Sequence, residues 1–302
     1  MRQIRIAGAS LAMVLAVPAM AFAIKDSAEL EGRAPFERVG IVADLDAYDG
    51  LASWVDMYDR GPWRHPEATA RRLAERGTRT LFLETSNYKK KTSIYKPAST
   101  SRLIEAAHLH GIKVVAWYLP GYDNLARDWR RIKKAITYTS TNGQYFDGFA
   151  MDIEATVVHD INTRNRRMIT LSNRLRDFVG PDYTLGAIIP DPVSQRFWPN
   201  FPYRKVHARF DVFMPMAYWT YRTRGQSNVY DYTRATLKII RFETRDASVP
   251  IHIIGGIASD ASAMEVRGFS RAAVNYAAVG ASLYDYPITT SRQWDQMKRV
   301  ND

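Results

Sequence analysis

The sequence predicts an α/β chain folded as a (β/α)8 TIM barrel, a single domain behind a signal peptide. Three observations carry that expectation. Strand-length apolar runs alternate with amphipathic helical stretches about eight times over roughly 250 residues, the rhythm of a barrel. The strands read as continuous apolar segments and the helices stop at glycine, as parallel strands covered on both faces require. No glycine-rich phosphate loop of the dinucleotide type follows the first strand, which weighs against an open doubly wound sheet.

The elements follow in order. A strand is expected over 39–45, then a helix over 66–77 with Pro66 in its first turn and Gly77 at its end. A strand over 80–84 and a helix over 101–111 repeat the unit. A third strand over 113–119 precedes a helix over 125–138. The segment 146–154, Phe-Asp-Gly-Phe-Ala-Met-Asp-Ile-Glu, is the fourth strand, and a long helix over 162–179 follows it. A fifth strand covers 184–189, but Pro199 and Pro202 make 198–210 irregular. Strand 211–218, helix 232–243, strand 250–255, two short helices over 261–268 and 270–279, strand 281–286 and helix 291–300 complete the series.

Ahead of the barrel, Arg2 and Arg5 precede an apolar run, and Ala21-Phe22-Ala23 supplies a small-x-small cleavage site. Residues 1–23 thus have the layout of a secretory signal peptide, too short in its apolar part for a membrane span. Residues 24–38 are expected to form an N-terminal extension and 39–302 the barrel. Export to the cell envelope or beyond follows. The chain has no cysteine, so stability must come from a large core. Its formal charge of +11 allows electrostatic contact with anionic cell-envelope polymers, although the basic residues are spread out and Lys89-Lys90-Lys91 is the only tight run. No nucleic-acid-binding motif is present.

Strand C-termini of such a barrel converge on the face where active sites are built. Side chains at i and i+2 of a strand share a face, so Ala150, Asp152 and Glu154 look one way and Phe149, Met151 and Ile153 the other. Charged groups at the end of an apolar strand cost free energy, which points to chemistry. Asp44 and Asp46 form a similar pair at the end of the expected first strand. Glu84 closes the second, Trp117 and Tyr118 the third, Tyr218 and Trp219 the sixth, and Tyr284 and Asp285 the eighth, while Asp191 follows the fifth. Carboxylates among aromatics suit carbohydrate, whose rings pack on aromatic faces and whose hydroxyls bond to acids. Asp44, Asp46 or Glu84 could instead brace the rim against Arg222 or Arg224. Trp117 could fill the interior, and only one of Tyr218 and Trp219 can face the mouth. His108, His110 and His159 have no metal-ligand spacing, so no metal site or cofactor is expected. Gly255-Gly256 is read as a turn permitting close approach. The absence of a G-x-S-x-G elbow argues against an α/β-hydrolase.

With these residues in view the chain resembles a retaining glycoside hydrolase, and most of all the chitinase-type family 18. That family carries a D-G-x-D-x-D-x-E strand, and residues 147–154 read D-G-F-A-M-D-I-E. The resemblance implies that Glu154 is the general acid and that Asp152 orients a substrate acetamide. The family's M-x-Y-D element is matched by Met216-Ala217-Tyr218-Trp219, implying that Tyr218 contacts the acetamide carbonyl. Two acids of the family pattern are replaced, by Ala150 and Trp219, and Asp44 or Asp46 is a candidate substitute partner. Secreted lysozyme-type barrels of family 25 are also similar in their D-x-E pair and first-strand aspartate.

The expectation is therefore a secreted protein that cleaves a polysaccharide, with chitin-like or peptidoglycan-like N-acetylated polymers as candidates. The catalytic set is Glu154, Asp152 and Tyr218, and the substrate-binding set is Asp44, Asp46, Glu84, Trp117, Tyr118, Asp191, Trp219 and Tyr284. Hydrolysis would use either the substrate's own acetamide or a carboxylate about 5–5.5 Å from Glu154. The alternative is a carbohydrate-binding protein on a degenerate glycosidase barrel, without turnover.

Overall fold

The computed structural model describes residues 44–194 and 197–302. The expected signal peptide, the extension 24–38 and residues 39–43 lie outside the described residues. Eight strands form one all-parallel sheet: β1 (Gly50–Val55), β2 (Thr80–Asn87), β3 (Lys113–Leu119), β4 (Gly148–Asp152), β5 (Leu185–Ile189), β6 (Val212–Pro215), β7 (His252–Ile257) and β8 (Gly280–Tyr284). β1 pairs with both β2 and β8. The barrel closes between β6 and β7, where bridges join Phe213 to Ile251 and Met216 to Ile254. Phe213 N–H donates to the Pro250 carbonyl at 2.9 Å and Ala217 N–H to that of Ile254 at 2.9 Å.

Helices surround this sheet: α1 (Arg60–Arg64), α2 (Pro66–Glu75), α3 (Pro97–Leu109), α4 (Leu125–Ile136), α5 (Ile161–Val179), α6 (Tyr203–His207), α7 (Gln226–Thr244), α8 (Ala263–Asn275) and α9 (Ser291–Met297). Their starts are written in the sequence. Pro66 and Pro97 occupy first turns. Asn124 caps α4 and Asp160 caps α5 through their side chains. Ser262 and Glu265 form a reciprocal capping box on α8.

The structure corrects three expectations. Among the described residues the first strand is Gly50–Val55, and Asp44 and Leu45, the described end of the strand expected over 39–45, lie in no strand: Gly50, at φ +68°, turns the chain into β1, and pairing on both sides settles its place. The two expected helices over 261–279 are one, because Gly268 lies inside α8. A Cβ there would sit 2.2 Å from the Gln226 carbonyl oxygen, so this glycine serves the close crossing of α7 and α8. Gly255 and Gly256 lie within β7 and form no turn. Cβ atoms on them would come 2.7 and 2.9 Å from the Trp219 ring, so the close approach is to that indole.

Alternation along the strands divides the core in two. Leu51, Val55, Leu81, Leu83, Phe149 and Met151 face the helices. Ala52, Trp54, Phe82, Trp117, Ala150, Ile188, Met214 and Ile254 fill the barrel's interior. Trp54 stacks on Phe82 at 4.4 Å and meets Trp117 edge-on at 5.9 Å. At the floor, Tyr48 donates from its hydroxyl to the Phe149 carbonyl at 2.9 Å. His252 bonds the Tyr48 carbonyl at 2.8 Å and the Ser282 hydroxyl at 3.0 Å. Burial pulls this imidazole down to about 4, so it stays neutral. The interior is a packed plug, and any site must lie above it.

Candidate active site at the mouth of the barrel

β4 ends at Asp152 and the chain runs on through Ile153 to Glu154. Asp152 is 6 % exposed, and its Oδ1 is buried without a hydrogen-bond donor. Burial, then the charges of Glu154 and Glu84, holds its carboxyl well above the usual range. Glu154 is half-buried, and burial raises it to about 7 against the opposing pull of the Lys89 ammonium. Two interacting carboxyls of this kind titrate as a pair, with a proton retained near neutral pH.

Tyr218, just past β6, joins them. Its ring centroid lies 6.1 Å from that of Tyr284 and 6.5 Å from that of Tyr221. Burial and the neighbouring charges of Glu154 and Asp152 push its phenol well up, so it remains a donor. Glu84 on β2 is buried. It accepts from Met57 N–H at 2.9 Å and Asn87 Nδ2 at 3.0 Å, and burial followed by repulsion from Asp56 raises it to about 8. Tyr284 on β8 donates from its hydroxyl to Asp56 at 2.8 Å. Trp117 is 5 % exposed and belongs mainly to the interior plug, its Nε1 without a partner.

Other expected members stand elsewhere. Asp44 and Asp46 precede β1 and sit at the opposite, N-terminal end of the barrel. Asp46 pairs with Lys113, the first residue of β3, at 3.3 Å. The Asp44 carbonyl accepts from Thr184, just before β5, at 2.7 Å. Neither reaches Glu154, because the true first strand begins after them. Tyr118 faces the helix layer and donates to Asp128 on α4 at 2.8 Å. Trp219 is fully buried outside the barrel, against Phe269 at 5.0 Å. Asp191 is held by the Tyr232 hydroxyl and by Arg222 at 3.5 Å, so it braces the rim.

Ala150 has a packing reason. It is in register with Trp117, and a Cβ on its neighbour Gly186 would lie 3.2 Å from the Ala150 Cβ and 2.7 Å from Met214 Sδ. An aspartate at 150 would place its carboxylate in that apolar layer.

Sequence reasoning missed Asp56 and Asp59, which follow the true first strand. Asp56 is 9 % exposed and raised by burial. Burial, then the charges of Asp285 and Asp56, lifts Asp59 to about 9. Asp285, named above only as a strand end, rises to about 7, chiefly by burial. The signal was present, since Trp54-Val55-Asp56 is an apolar strand closed by an acid, as at β4.

The chain is a (β/α)8 barrel with two carboxylates, Asp152 and Glu154, at the end of its fourth strand. No protein-family model matches the chain, and no curated protein does. Solved structures do. The endo-β-1,4-mannanase of Thermotoga petrophila is similar with a TM-score of 0.63 at 10 % identity, over 84 % of this chain and 76 % of that one. A chitinase from Bacteroides thetaiotaomicron gives 0.60 at 12 %, over 84 % and 94 %. The family 18 chitinase of Cycas revoluta gives 0.60 at 10 %, over 83 % and 99 %. At such identities the likeness is one of fold.

Proposed function

We propose that this protein is a secreted glycoside hydrolase that cleaves a polysaccharide, with Glu154 as general acid. The observation that carries the reading is the Asp152–Glu154 pair, one buried and one half-buried, at the mouth of a barrel whose neighbours in fold are chitinases and mannanases. A general acid must hold its proton near the working pH, and Glu154, at about 7, does so. Glu154 protonates the leaving glycosidic oxygen. Once the pair's proton sits on Glu154, Asp152 is free to accept an acetamide N–H and steer its carbonyl oxygen to the anomeric carbon. Tyr218, at the end of β6 two strands away from β4, donates to that oxygen. The position of Asp44 and Asp46 below the plug removes those two as nucleophiles, and the acetamide route through Asp152 calls for an N-acetylated substrate such as chitin or peptidoglycan.

Residues 1–23 direct export in this reading. Lys89, Lys90 and Lys91, on the loop after β2, face the wall's anionic polymers. Arg131 holds that loop by donating to the Asn87 carbonyl at 2.7 Å and to that of Lys90. A second reading, a carbohydrate-binding barrel without turnover, is favoured by Ala150 and by the burial of Trp219 in place of the family's acid. Reducing-end release from chitin, peptidoglycan and neutral glycans, measured beside calorimetric binding, separates the two. Turnover that collapses in Glu154→Gln supports the hydrolase. Binding without release, unchanged in that variant, supports the binder.

A further inference from the structure

We propose that Asp56, Asp59 and Asp285 form a binding site for a hard divalent cation, calcium above all, where the first and last strands of the barrel meet. Each residue offers a carboxylate oxygen, and the three oxygens lie within 4.8 Å of one another. Asp56 and Asp59 belong to the loop after β1 and Asp285 follows β8, so residues remote in sequence converge from two adjacent strand ends.

A cluster of acids alone would mean little. The second observation is that Asp285 is 7 % exposed and its Oδ1 is buried with no hydrogen-bond donor. The Asp285 and Ile288 backbone N–H groups favour the charged form of this carboxyl only in part, and an oxygen removed from water without a donor of its own loses solvation that a cation would return. Among the described residues no lysine, arginine or histidine forms an ion pair with any of the three. The remaining contacts orient the group. Tyr58 N–H donates to Asp56 Oδ1 at 2.6 Å, Tyr284 to Asp56 Oδ2 at 2.8 Å, and Asp56 N–H to Asp59 Oδ2 at 2.8 Å. Each of these oxygens keeps a lone pair.

The donor set favours calcium. Three carboxylates converging within 4.8 Å of one another supply the protein oxygen ligands that calcium takes at about 2.3–2.6 Å in flexible geometry, whereas magnesium demands near-ideal octahedral geometry and is usually held through one or two carboxylates with several retained waters. A bound ion would tie the ends of β1 and β8 together and hold the Tyr284 hydroxyl on Asp56. It would thereby stiffen the wall on which Tyr284 faces Tyr218. The site needs no carbohydrate, so it stands apart from the hydrolase reading.

The test uses the full chain, stripped with a chelator and titrated with calcium chloride, then with magnesium chloride. Calorimetry should show one saturable calcium site per chain, tighter than the magnesium site. At a hundredfold excess over Kd the melting temperature should rise by about 5 °C or more. The isosteric pair Asp59→Asn and Asp285→Asn, folded by circular dichroism, should lose at least about tenfold in calcium affinity and the thermal shift with it. Wild-type protein that takes no calcium at millimolar concentration would overturn the proposal, as would unchanged binding in the double variant. A double variant more stable than a calcium-indifferent wild type would overturn it too, and would mean that the three acids share protons.

Discussion

Replacing Glu154, the proposed general acid, by glutamine should remove the transferable proton while keeping the shape of the side chain, and the structure sets the size of the effect. An ordinary glutamate, at 4.5, would be about 0.3 % protonated at pH 7, whereas Glu154, raised to about 7, is about half protonated. Burial thus enriches the active form about 150-fold. Between pH 6 and pH 9 the protonated fraction falls from about 0.9 to about 0.01, so kcat/KM should drop about 90-fold along that limb. Glu154→Gln should lower kcat/KM by about 10²–10⁴ at pH 6 and flatten the limb. Lys89→Met should displace it to higher pH, because the ammonium now favours the charged carboxylate. The assay is initial-rate release of reducing ends from pH 5 to 9 on whichever polymer is cleaved. An alkaline limb that survives intact in Glu154→Gln would refute the assignment. A limb that Lys89→Met moves to lower pH would refute the electrostatic account of it.

Stability should depend on pH through the same burial. Glu84 at about 8 and Glu154 at about 7 are raised above their unfolded value, so their contribution is complete below about 4.5 and is lost as pH rises through 7 and 8. Calorimetric melting temperatures of the metal-free protein should fall from pH 5 to 9, and less steeply in Glu84→Gln; a rise over that range would contradict the sign. Gly256→Ala should cost about 1–3 kcal/mol, since its Cβ would meet Thr220 Cγ2 at 2.8 Å and Trp219 Cε2 at 2.9 Å. Urea unfolding at wild-type midpoint would show that Trp219 can yield. Serine at 89, 90 and 91 should weaken binding to an anionic wall polymer and reduce its salt dependence. Wild-type binding that is insensitive to salt would exclude the lysine loop as the contact.

The barrel and its fourth strand were legible because both rest on local pattern. Apolar runs bounded by turns read as strands, caps and prolines mark helix starts, and the period of two in 146–154 aims Asp152 and Glu154 together. The first strand was not legible by the same rule. The run at 39–45 reads as apolar as Gly50–Val55, and it is pairing with β2 on one side and β8 on the other that makes the latter the first described strand. That single displacement carried Asp44 and Asp46 to the wrong end of the barrel and concealed Asp56 and Asp59.

Sequence by itself thus determined the repeating architecture and the pair of acids at the end of β4, since both follow from short-range periodicity. Only the tertiary structure decided which aromatics reach the mouth. Tyr118 and Trp219 turn outward to Asp128 and Phe269, while Trp117 turns inward above Ala150. It also brought Asp285 against Asp56 and Asp59, because closing the barrel sets the last strand beside the first. Proximity between residues more than two hundred positions apart is a property of the closed sheet and leaves no mark on local sequence.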